Sequence, residues 1–91
     1  MVTDLNNKAL HSDLAIAPGE YLEEMLEDVA ISQAELARRM GRPPQAINEI
    51  VKGEKAITPE TALQLEQVLG VSALFWSNLE TEFRLILAKQ N

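Results

Sequence analysis

The side chains with the most recognition chemistry gather in one short stretch. Gln45, Ala46, Asn48 and Glu49 stand within five consecutive positions, Gln33 precedes them, and Arg42, Lys52 and Lys55 flank them. A Gln or Asn amide holds a donor beside an acceptor, the pattern that pairs bidentately with adenine in the major groove of a DNA duplex. The Ala46 methyl can meet the methyl of thymine. Arg42, Lys52 and Lys55 can neutralise phosphates, which sets affinity and its salt dependence. Gln33 can meet a phosphate with its side chain and, if it opens a helix, with the helix N-terminus. Glu49 either accepts from a cytosine amino group or only repels the backbone. Arg38 and Arg39 are either further phosphate contacts or solvated helix surface.

Other chemistries find little support. The chain has no cysteine and one histidine, His11. Disulfides, zinc fingers, iron–sulfur clusters, thiol catalysis and multi-histidine metal sites are thereby excluded, and no metal or cofactor is expected. Glu23 and Glu27 share a helix face, but paired carboxylates need a cleft and shifted pKa values for acid–base work. Ser12, Ser32, Ser72 and Ser77 lack a plausible base. Phosphate loops and dinucleotide fingerprints are absent. The chain is not expected to be an enzyme.

The 91 residues suit one small domain with one core, and 46% hydrophobic with 24% charged residues is ordinary for a globular protein. The net charge of −6 hides an asymmetry. Residues 1–31 hold one Lys against seven acids. Residues 32–55 hold Arg38, Arg39, Arg42, Lys52 and Lys55 against Glu35, Glu49 and Glu54, the only basic third. The global charge argues weakly against nucleic acid and the local charge argues for it. The longest apolar runs are only four residues, as in Ala73–Trp76 and Leu85–Ala88, far short of the ~20 residues that span a bilayer, and the opening MVTDLNN has no secretory signal pattern. A cytoplasmic protein is expected.

Positioning the recognition residues requires helices. Residues 1–17 read as a flexible N-terminal arm and 18–91 as the folded domain. Pro18 and Gly19 open a first helix whose core stripe is Leu22, Met25, Leu26 and Val29. Ser32 and Glu35 form an S-x-x-E capping box before a second helix that runs to Met40, and Gly41 is placed as its left-handed C′ residue. Pro44 suits the first position of a third helix, buried through Ile47, Ile50 and Val51. Thr58–Pro59 begins a fourth, with Ala62, Leu65, Val68 and Leu69 inward and Gly70 as its stop. Ser72 caps a fifth segment. No strand pattern occurs, so the fold class is all-α, a five-helix bundle.

Residues 33–52 carry a more specific grammar. Ala37 supplies the small residue where two helices cross steeply, Gly41 the tolerance of positive φ in the turn, and Ile47 and Ile50 the branched side chains of the second helix. This is the layout of a helix-turn-helix.

The strings PGEYLEEML (18–26), SQAELARRMG (32–41) and INEIVKGEKAITPETALQLEQVLGVSALFWSNLE (47–80) resemble the HigA-type antitoxins. These belong to the xenobiotic-response-element class of helix-turn-helix proteins, which also includes phage repressors. The likeness covers about residues 16–88, and the Phe75, Trp76, Leu79 element with Pro18–Glu20 upstream is its most specific part. It implies a lambda-repressor-like DNA-binding domain, a homodimer on a palindromic double-stranded DNA operator, and repression of its own operon. It also implies a protein partner, a RelE-like mRNA endonuclease toxin neutralised by direct binding.

One recognition helix reads about four or five base pairs, and two-fold dimers set two such helices one DNA turn apart, about 34–36 Å. Leu85, Ile86 and Leu87 are consecutive and so sweep about 200° of a helix, more than one core covers. With Trp76 and Phe83 they are the expected dimer interface, with no membrane involved. Two other readings stay open: an interaction module that keeps the fold without binding DNA, and the N-terminal DNA-binding part of a longer regulator.

Overall fold

The structure, a computed structural model, describes residues 15–90. Among these it has five helices and no strand: α1 (Pro18–Val29), α2 (Gln33–Met40), α3 (Pro44–Val51), α4 (Pro59–Leu69) and α5 (Ala73–Gln90). The punctuation read from the sequence accounts for most of the boundaries. Ser32 Oγ accepts the Glu35 N–H at 3.0 Å, Thr58 Oγ1 the Thr61 N–H at 3.2 Å, and Ser72 Oγ the Phe75 N–H at 3.1 Å. Each supplies a partner to a backbone donor that the first helical turn leaves unpaired. Pro18, Pro44 and Pro59 occupy first helical positions, where the missing N–H costs nothing.

Leu22 and Leu26 of α1, Leu36, Ala37 and Met40 of α2, Ile47 and Ile50 of α3, and Ala62 and Leu65 of α4 form one buried cluster, closed by Ile57 and Trp76. The helices meet as α2 on α3, α4 on α5, α1 on α3, α2 on α4 and α1 on α5. α3 is thus backed by both α1 and α2.

Three expectations need correction. The capping box at Ser32 is half made: the Glu35 carboxylate turns forward to Arg38 and Arg39 instead of back to the Ser32 N–H, because two guanidiniums offer charge-assisted bonds that one amide cannot match. Val29 is exposed, since α1 stops there and the chain turns away through Ala30. Trp76 is fully buried inside its own chain, so it has no surface to offer a second copy, and Phe83 is buried as well. The more exposed apolar positions of α5 are Leu74, Phe75 and Leu85, with Ile86 and Leu87 half-buried. Of the expected arm, residues 1–14, with His11 and Ser12, lie outside the described residues. Ala17, its last residue, is buried.

Candidate nucleic-acid interface

The turn between α2 and α3 fixes how α3 is presented. Gly41 adopts φ 70°, its N–H reaches the Arg38 carbonyl at 3.2 Å, and the Arg42 N–H reaches the Ala37 carbonyl at 2.9 Å. This paired closure satisfies the last carbonyls of α2 and reverses the chain. No Cβ is tolerated there without strain, which is why glycine occupies the position. Ile47 and Ile50 then face the core with Ala37 opposite, all buried. The remaining face of α3 carries Gln45, exposed, and Ala46, Asn48 and Glu49, half-buried.

Two contacts organise that face. Asn48 Nδ2 donates to Gln33 Oε1 at 3.3 Å, linking α3 to the first residue of α2. With its oxygen held by Asn48, Gln33 presents its amide N–H groups, the donors a phosphate oxygen requires. Gln45 Nε2 lies 3.5 Å from Glu49 Oε2, at the limit of a hydrogen bond. The two expected amides therefore differ: Gln45 is the outward one, while Asn48 bridges two helices.

The cations also divide. Lys52, at the end of α3, and Lys55, in the following loop, are exposed. Arg42 is turned to α4, where its Nε donates to Gln64 Oε1 at 2.7 Å and its guanidinium lies 4.0 Å from Glu60. Arg38 and Arg39 both bind Glu35, Arg39 at 2.8 Å. The Arg38 hydrogen bond, followed by that of Arg39, holds the Glu35 carboxyl down at about 2. Two of the five cations read from the middle third thus share one carboxylate within α2. Gln64, which orients Arg42 from 22 positions away, carried no signal in the sequence. Among the described residues no cluster of three or more His, Cys, Asp or Glu could hold a metal ion, and no helix is long and apolar enough to cross a membrane.

The sequence profile of the Helix-turn-helix family matches residues 22–76, from Leu22 in α1 to Trp76 in α5. The chain belongs to this family. Within it, the chain is similar to antitoxins of the HigA type. The solved structure of the Pseudomonas aeruginosa antitoxin HigA with the higBA promoter is 37% identical, with a TM-score of 0.78 over 82% of this chain and 83% of that one. An addiction module antidote protein of a HigA family from Coxiella burnetii is 32% identical, with a TM-score of 0.77 over 84% of each chain. Virulence-associated protein I of Dichelobacter nodosus is 41% identical over 78 residues, 85% of this chain and 72% of its own length. In this helix-turn-helix, α2 and α3 are the two motif helices, and α3 holds the second position.

Proposed function

We propose that this chain is a sequence-specific DNA-binding repressor, the antitoxin of a toxin–antitoxin pair. It binds a palindromic operator as a homodimer and represses its own operon. The observation that carries this reading is the presentation of α3. A helix anchored by Ile47 and Ile50 turns Gln45 to solvent, with Gln33 held beside it by Asn48 and with Lys52 and Lys55 at its C-terminal end. Gln45, Ala46, Asn48 and Glu49 lie where base edges would be read. Gln33, Lys52 and Lys55 lie where the phosphate backbone would pass, whereas Arg42, held against α4 by Gln64, would have to leave that contact to join them. The HigA relative solved with promoter DNA supports the DNA-binding reading as a whole.

The dimer forms through α5, at Leu85, Ile86 and Leu87. The protein partner is a basic mRNA endonuclease of the RelE-like class. Glu20, Glu23, Glu24, Glu27 and Asp28 are all exposed on α1, and opposite charge speeds such an encounter. The chain acts in the cytoplasm and has no catalytic step of its own.

The test is selection of binding sites from random duplex DNA at moderate salt, because phosphate-dominated binding weakens steeply as salt rises. The expected product is a palindrome with half-sites about one helical turn apart. If a folded, dimeric sample enriches nothing, the helix-turn-helix serves as a protein scaffold and the DNA reading is wrong.

A further inference from the structure

Glu80 is the only carboxylate buried among the described residues, and it lies on α5, away from the recognition face. Its Oε1 accepts the backbone N–H of Ile57 at 2.9 Å, 23 positions earlier in the chain. Ile57 is itself buried, in the connection between α3 and α4. A buried loop N–H must find an acceptor inside the protein, and α5 supplies it. Arg84, one turn further along α5, donates its Nε to the second oxygen, Oε2. Its guanidinium lies 4.9 Å above the Phe83 ring. The carboxylate thus has both a cation and a donor, as a buried charge requires.

The far end of the same loop is also fastened. The Lys52 N–H bonds to the Asn48 carbonyl at 3.0 Å, Gly53 to Ile50 at 3.0 Å, and Glu54 and Lys55 to Glu49 at 2.8 and 3.2 Å. The exposed stretch carrying Lys52 and Lys55 is therefore held by α3 on one side and by Glu80 on the other. A loop ordered in advance loses less conformational entropy when its side chains bind.

We propose that Glu80 is a positioning residue for DNA contact: its carboxylate pins Ile57 and so fixes the Lys52–Thr58 loop that brings Lys52 and Lys55 to the phosphates. The inference rests on the DNA-binding reading above.

Two measurements on the whole chain test it. The first is amide hydrogen exchange at Ile57. The second is the salt dependence of binding to a mixed-sequence duplex of fixed length, which reports the number of phosphate contacts. Glu80→Met removes the acceptor. It should speed Ile57 exchange about tenfold or more and flatten the log–log salt slope by about one to two. Glu80→Gln keeps a carbonyl oxygen for Ile57 and should restore most of both. If Glu80→Met does not fold, Glu80→Asp keeps the charge but falls one methylene short, and the same two changes are expected. A folded Met or Asp variant with faster Ile57 exchange but a wild-type salt slope makes Glu80 merely structural and overturns the proposal. So does unchanged exchange. If the wild-type chain binds no duplex, the DNA reading falls and this inference falls with it. A wild-type chain that binds while the variants keep its slope sinks this inference alone.

Discussion

Gly19 and Ile50 meet backbone to backbone. A Cβ on Gly19 would stand 2.1 Å from the Ile50 carbonyl oxygen and 2.6 Å from Val51 Cα. The start of α1 is thereby pressed against the last turn of α3, and only glycine permits the approach. Because the obstructing atoms are backbone, relief requires α1 and α3 to separate. Gly19→Ala is expected to destabilise the fold by at least about 2 kcal/mol, lowering the thermal midpoint by roughly 10 °C or more. Circular dichroism melts would read this directly. A midpoint within a degree or two of wild type would mean that the two helices move apart freely.

This contact also marks what the sequence could and could not disclose. Helix starts were legible because Ser32, Thr58 and Ser72 act on residues three positions away. The helix-turn-helix was legible because Ala37, Gly41, Ile47 and Ile50 sit at fixed offsets along one segment. Gly19 read only as a helix opener, since its reason for being glycine lies in α3. Gln64, which turns Arg42 aside, and Glu80, which holds Ile57, are equally long-range. Trp76 was misplaced for a related reason: consecutive apolar residues on α5 do not reveal which of them the chain's own core consumes.

Ala30 is the one non-glycine residue with positive φ among those described, at 60°. It closes α1 as Gly41 closes α2, with the Ile31 N–H reaching the Leu26 carbonyl at 3.0 Å. An L-residue in this conformation costs about 1–2 kcal/mol, partly offset by the greater freedom that glycine gives the unfolded chain. Ala30→Gly should therefore stabilise by about 0.5–1 kcal/mol. Urea titration should move the midpoint upward with an unchanged slope. A lower midpoint would show that the left-handed turn is not strained.

Glu35 titrates low because Arg38, and then Arg39, bond to its ionised form. Its folded value of about 2 lies below the ordinary 4.5. The ion pairs therefore favour the fold fully above about pH 4.5, and this contribution fades as the pH falls towards 2. Arg38→Ala should raise the Glu35 midpoint towards its ordinary value, as read from carboxyl chemical shifts against pH. Added salt should move it the same way in wild type, because the pair is exposed and screened. A midpoint insensitive to both would mean that the arginines do not hold the carboxylate in solution.

Gln45 is the outward amide of α3, and if it pairs with an adenine its loss should be local. Gln45→Ala is expected to cost about 1–3 kcal/mol at one base pair of each half-site and to relax preference there. Affinities for single-base operator variants would locate that position. A uniform loss across all variants would instead place Gln45 on the phosphate backbone and leave base reading to Ala46, Asn48 and Glu49.

Leu85 is more than half exposed, and Ile86 and Leu87 beside it are half-buried. An apolar surface at the end of a long helix is where a second copy would gain most by covering it. Leu85→Glu places a charge there without touching the core cluster, so the protomer should keep its helicity and its thermal cooperativity. In sedimentation equilibrium the variant should show the protomer mass where wild type shows twice that. Because two half-sites must be held together, its operator affinity should fall at concentrations where its helix content is unchanged. A variant that stays dimeric would move the interface to another exposed apolar site, with Leu74 and Phe75 at the opposite end of α5 the next to test.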